Sequence, residues 1–450
     1  MNILQACDAS NIEKVRELIA KGHDVHVRNV KNGDSLLHTA LTSNIELFKL
    51  LLENGVDVNA VNNDGDNLLH VAFLYEAVEC DPKNRKLHFK EYVNLSIDAG
   101  IDINRKNVLR LSPLHISVTE DLDEYTRILL NNENIDLNVQ DSDGNTPIHE
   151  LAKLNKIEIL KEAVKKGPDL NIENCNKLTP FEIALKAEKF AFDCFKFLSS
   201  ENIDINHQSK GGNTVLHTAI KKFKFRNVPY FLIDHENINV NIENDCGDTA
   251  VHLAIKEGDI SILSALIQNN ANLNIANNDD KTPLDLSLDN RRILALLLSS
   301  NVNVNRQNSN GDTILHAAVR IHDFKNNKSV NELLRFDNVD IKLQNNDGYT
   351  PLMLAVERND VECVKLLLDR NCEVNFLTNG GNTALMIAAR SQEMSERRNK
   401  IIDMLINTEK CDLYIVSNEE CKQSCLHKAV LNNNFYIAKC LIEKNVKLGD

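Results

Sequence analysis

Fourteen histidines and eleven cysteines are the residues of this 450-residue chain with the most capacity for chemistry. Eight of the histidines, His38, His70, His115, His149, His217, His252, His316 and His427, recur at multiples of about 33 residues. A metal ion needs three or four ligands at about 2.0–2.3 Å, and copies of one position in stacked helix layers lie roughly 10 Å apart, too far to share one ion. Cys421-Lys-Gln-Ser-Cys425 is the nearest approach to a cysteine pair. A single C-x-x-x-C without a second pair or a histidine cluster is a weak metal signal. No G-x-S-x-G, Walker loop, kinase set or H-E-x-x-H is present. The acidic residues are spread along turns. Composition and spacing therefore point away from catalysis and from a bound metal or cofactor.

The histidines belong to a larger unit. Its cleanest copy runs from Asp245-Cys-Gly-Asp-Thr-Ala-Val-His252 to Asn272-Leu-Asn274. Other copies begin Gly33-Asp-Ser-Leu-Leu-His38, Gly212-Asn-Thr-Val-Leu-His217, Gly311-Asp-Thr-Ile-Leu-His316 and Gly348-Tyr-Thr-Pro-Leu-Met353. The Gly suits a tight turn with positive φ, which is cheap only without a Cβ. Thr249 can cap the helix that follows. Proline directly after the cap, at Pro113, Pro147, Pro180, Pro283 and Pro351, is tolerated because the first helical N–H has no intrahelical partner. Val251–Ile255 makes a short inner helix, and Ile260–Ile267 has the apolar spacing of an outer one.

A unit of this period with a Thr-Pro-Leu-His-like opening resembles the ankyrin repeat, over nearly the whole chain. The resemblance implies an all-α solenoid of stacked helix pairs with projecting β-hairpin or turn fingers. It also implies that the signature His is a structural hydrogen-bonding residue. Ankyrin proteins bind partner proteins through finger tips and the exposed, concave side of the inner helices.

Repeats start near residues 29, 62, 107, 141, 174, 209, 244, 277, 308, 345, 378 and 419, after a charged N-terminal half-repeat over 1–28 that suits a cap. Insertions fall at Cys80–Lys86, His322–Lys328 and Gln392–Asn399, and none carries a nucleophile–base set. Arg110, Lys177 and Asp280 replace the turn Gly, and Glu182 and Asp285 replace the signature His. The unit from 277 lacks both and is short, which marks a boundary between an N-terminal block, 29–276, and a C-terminal block, 277–450. The last outer helix, Phe435–Ile442, is apolar with no polar capping repeat after it. Either that end is tolerated or the natural chain continues.

The formal net charge of −14 argues against nucleic-acid binding, which needs a basic footprint, and leaves basic partners open. The cysteines follow no framework spacing, and Cys194, Cys363 and Cys440 read as small buried hydrophobes in a reducing, cytoplasmic setting. The first residues have no basic n-region or apolar h-region, which argues against a leader, and no apolar run is long enough to span a membrane. Many of the 61 asparagines occupy turns, where left-handed backbone is tolerated; the surplus reads as compositional bias.

Two patches stand out as candidate partner sites. Where other units place polar residues such as Asp245, Asp248, Lys256 and Glu257, the units from 62 and 107 place Leu74 and Tyr75, then Val108, Leu109 and Leu111. Apolar residues on a finger suggest an interaction site, or packing on the neighbouring insertion. The second patch is Lys210 with Lys221, Lys222, Lys224 and Arg226, a basic cluster with aromatics fitted to an acidic partner or to a solvated face. The sequence thus describes a non-enzymatic protein-binding scaffold whose partner it does not name, with no small-molecule substrate. The alternative is the targeting portion of a host-directed effector or toxin from an intracellular microbe, acting in the host cytosol.

Overall fold

Side chains at fixed positions of the repeat make the same bonds again and again, and these bonds build the structure. The computed structural model describes residues 1–78, 89–187, 191–221, 227–321, 328–390, 395–417, 422–444 and 446. Among them are 26 helices, which fall into thirteen successive inner–outer pairs, and no sheet. The fingers between pairs are built of turns, and the bridges Arg28–Ser35 and Val416–Ser424 are isolated. Residues pack into two compact units, 1–210 and 211–450. The Cys80–Lys86 insertion, residues 322–327 of the second and residues 392–394 of the third lie outside the described residues. Ser395 caps the helix Glu396–Ile406, so the end of the Gln392–Asn399 insertion is its first turn.

Each inner helix starts at a Ser, Thr or Asn whose side chain satisfies orphan N–H groups of the first turn. The signature His sits three residues on and ties two repeats together. In the unit from 244, Nδ1 of His252 contacts the Thr249 hydroxyl at 2.9 Å, and Nε2 donates to the Lys281 carbonyl of the next turn at 3.1 Å. The same Nε2 donation links His38 to Asp66, His70 to Leu111, His115 to Asn145, His149 to Leu178, His217 to Asp248 and His316 to Tyr349. A carbonyl can only accept, so Nε2 carries the hydrogen. Burial favours the uncharged ring, and it pushes His149 down to about 4.

The turn glycines have a second task besides positive φ. After seven of them the next finger lies so close that its amide donates to the preceding finger's carbonyl at 2.9–3.1 Å, as Val108 does to Asp64 and Asn278 to Cys246. A Cβ on Gly247 would stand 2.6 Å from that Asn278 nitrogen. Arg110, Lys177 and Asp280 keep the turn's left-handed backbone, with φ of 61°, 55° and 55°. After each of these three, the finger-to-finger amide bond is missing among the described residues. Their Cβ atoms occupy the space the close approach requires. Lys422, which the sequence pattern leaves unmarked, takes the same role in the last unit with φ 41°.

The asparagines are structural to a degree that composition does not reveal. One row spans neighbouring fingers: Asn305 donates to the Asn338 carbonyl and accepts from the Asp340 amide, both at 2.8 Å. Asn59, Asn104 and Asn375 repeat this two-way bond. A second row holds each turn closed: Asn277 accepts from the amides of Asp279 and Lys281 and donates to Asp248 Oδ1 at 2.9 Å. The Asn surplus is thus partly a ladder that satisfies finger backbone without a sheet.

The core between layers is Leu, Ile, Val and Ala, with a few rings such as Phe181 stacked on Phe195 at 4.5 Å. Cys194 and Cys363 are buried as expected, while Cys440 is half-buried; burial pushes the Cys194 thiol up to about 12, which makes it inert.

Candidate partner-binding surface

Among the described residues, the inner helix Leu68–Val78 is longer than its counterparts, at 11 residues against 4–8. Elsewhere a left-handed Gly258 or Asn359 follows the helix end and turns the chain. Here the run Leu74-Tyr-Glu-Ala-Val78 has no such residue, so the helix continues beyond the core. Its end reaches solvent, with Leu74 40% and Tyr75 47% exposed.

The finger beside it is rigid. Asn107 Oδ1 accepts from the amides of Leu109 and Leu111 at 3.0 Å, and its Nδ2 donates to Asp66 at 2.8 Å. The Val108 amide bonds the Asp64 carbonyl at 2.9 Å. Held in this way, Val108 and Leu109 are 65% and 60% exposed. Leu111 is half-buried, and its carbonyl takes the 2.9 Å bond from His70 Nε2. His70 and Leu74 are four residues apart, so they share a helix face. The bond from His70 therefore turns that face, with Leu74 on it, toward the finger.

Tyr75 is not wholly free. Its ring stacks on Phe89, with centroids 6.4 Å apart and planes 16° apart. Phe89 is buried and is the first described residue after 79–88. One side of the tyrosine is therefore packing, and the remainder faces solvent.

The family model for ankyrin repeats matches residues 3–80, 85–174, 148–244, 216–308 and 315–414. The chain belongs to the ankyrin-repeat family. Over 134 residues it is 28% identical to an ankyrin repeat protein of Variola virus, covering 29% of this chain and 23% of the relative. A putative ankyrin repeat protein of fowlpox virus is 31% identical over 164 residues, covering 35% and 45%. The matched segments thus span less than half of either relative. The solved ankyrin repeat domain of Bcl-3 is 24% identical, with a TM-score of 0.45, covering 52% of this chain and 99% of that one.

Ankyrin repeats are protein-interaction modules, and their family is generally non-enzymatic. Among the described residues of this ankyrin chain, no three His, Cys, Asp or Glu are grouped to hold a metal. Cys425 is buried, and Cys421 lies outside the described residues. No described helix is long and apolar enough to cross a membrane. Of the basic cluster, Lys210 and Lys221 are exposed, whereas Lys222, Lys224 and Arg226 lie outside the described residues.

One feature of the ankyrin surface is a spacing of eight that sequence reading overlooked. In three repeats the residue before the cap is answered by the residue eight further on, at the helix end. Lys256 Nζ lies 2.5 Å from Asp248, Arg320 Nε 3.0 Å from Asp312, and the Tyr349 hydroxyl donates to Glu357 at 3.3 Å. The equivalent pair in the unit from 62 is Asp66 and Leu74, so an exposed leucine stands where these three repeats place a charged partner; Leu431 holds the same position in the last unit. In the second unit the same surface forms a cavity of about 520 Å³, lined by Lys281, Asn310, Asp312, Arg320, Ile321 and Asp347. It contains no nucleophile–base pair.

Proposed function

We propose that this chain is a non-enzymatic scaffold that binds a partner protein through Leu74, Tyr75, Val108 and Leu109, with Leu111 supporting the finger. The observation that carries this reading is the exposure of four large apolar side chains on a helix end and a finger that the His70–Leu111 bond joins. A rigid surface loses little entropy on binding, and a few central anchors, tyrosine prominent among them, supply most interface energy. Lys221, Lys222, Lys224 and Arg226, close together in sequence, would form a secondary contact for an acidic segment. No cofactor is needed, and a reducing cytosol suits the scattered cysteines.

The test is affinity capture from cytosol with the whole chain and, in parallel, with a Leu74→Asp, Leu109→Asp double variant, read by mass spectrometry. One dominant protein that is lost with the variant supports the reading. An identical profile from both refutes the assignment of this surface. The alternative, the targeting portion of a host-directed effector, draws on the likeness to proteins of two viruses. Capture of a host protein by the same surface would favour it.

A further inference from the structure

The junction above the repeat that starts at 174 has lost the neutral link of the turn row. Lys177 stands in place of the turn Gly, and the amide of Lys210 makes no bond to the Asn176 carbonyl. Glu182 stands in place of the signature His. Its Oε2 closes the cap, accepting from the Thr179 amide at 3.1 Å, and then meets His207 Nδ1 at 2.9 Å. The other ring nitrogen, Nε2, lies 2.9 Å from Glu173 Oε1. A carboxylate only accepts, so both contacts are satisfied together only when the imidazole carries two hydrogens and a positive charge. Glu182 is almost fully buried, and its Oε1 has no partner. A buried carboxylate with a free oxygen depends on the cation bonded to it.

We propose that the Glu173–His207–Glu182 bridge is a pH-operated latch, which holds the turn at 204–207 on the repeat below while His207 is charged and releases it when His207 is neutral. This reaches beyond the scaffold reading and does not rest on it. The seven histidines that donate to the next turn work in the uncharged form, so this junction runs on the opposite protonation state. The charged groups acting on His207 are Glu173 and Glu182. Those acting on Glu182 are His207 and Lys186. Burial lowers the histidine's affinity for the proton, but the bonds and charges of the two glutamates outweigh it and raise His207 above its ordinary value. A histidine raised in the fold contributes stability that is present below its unfolded pKa and is lost as pH rises through the folded one. The junction above 277 has lost the same links but does not switch. There Asp280 is bound by the Arg306 guanidinium and the Ser309 amide, and arginine stays charged.

Hydrogen exchange on the full chain at about pH 6 and about pH 8.5, corrected for intrinsic exchange, tests the latch. The reporter is the Asp204 amide, bound to Asn171 Oδ1 at 2.7 Å; the control is the Asp169 amide, bound to Asn138 Oδ1 at 3.0 Å in the finger below. Each unit by which the folded pKa exceeds the unfolded one changes the opening equilibrium about tenfold. Protection at Asp204 is expected to fall relative to Asp169 as pH rises, and Glu182→Gln is expected to flatten that fall. Equal behaviour of the two amides overturns the proposal. Should the variant fail to fold, NMR titration of the His207 ring in the unaltered chain decides: a midpoint above about 6.5 supports the latch, and one at or below it overturns it.

Discussion

Replacing Leu109 and Tyr75 by alanine, singly and together, separates binding from packing. Leu109 is 60% exposed on a finger fixed by backbone and asparagine bonds. Its truncation removes little buried area, so the folding cost should stay within about 0.5 kcal/mol. Tyr75 is 47% exposed and stacked on Phe89. Its truncation loses an aromatic pair of about 0.5–1.5 kcal/mol along with some buried area, so Tyr75→Ala should destabilise the first unit by about 1–2 kcal/mol. If both are anchors, the double variant should lose about 2–4 kcal/mol of partner binding, roughly 30- to 1,000-fold in Kd. Urea unfolding and titration calorimetry with the captured partner measure the two quantities on the same protein. The reasoning is refuted if Leu109→Ala leaves affinity unchanged, or if it costs folding as much as Tyr75→Ala does.

Leu74→Lys should restore the eight-residue pair with Asp66, altering stability by no more than about 1 kcal/mol while weakening partner binding; unchanged affinity would remove Leu74 from the surface. Acidification should destabilise the stack, because a histidine lowered in the fold contributes stability that is lost as pH falls below its unfolded value of 6.5. For His149, held near 4, the loss by about pH 4 approaches 3 kcal/mol, and His149→Gln should show a shallower dependence in pH-resolved melts. Gly247→Ala should cost at least about 1–3 kcal/mol in denaturant unfolding, since its Cβ would meet the Asn278 nitrogen at 2.6 Å with φ at 73°. Lys177→Gly should stabilise by up to about 1 kcal/mol, through relief of left-handed strain at φ 55°. The unit from 277 should exchange first in its block: its inner helix, Pro283–Leu286, has four residues, and Asp285 bonds only within its own cap among the described residues. Uniform protection over 277–308 would count against a weak point there.

Periodic features were legible from residue types alone, because each repeat solves the same local problem with the same side chains. Gly at the turn, Thr at the cap and apolar spacing on two helices specify thirteen pairs without knowledge of any distant contact. The substitutions at Arg110, Lys177, Asp280, Glu182 and Asp285 were equally visible as departures. Their consequences were not, since they lie in the next repeat. A Cβ at Lys177 matters because another finger's amide would sit where that atom is, and Glu182 matters because His207 reaches it from 25 residues away. The asparagines looked like composition until the fold put each beside the backbone of a neighbouring finger. Tyr75 read either as an interaction site or as packing on the neighbouring insertion, and the fold placed Phe89 under one side of its ring. Sequence alone determined the unit and its count, which depend on short-range preferences repeated in register. Tertiary structure decided which links join the units and which apolar residues remain in water, because those depend on distances between residues about one repeat apart.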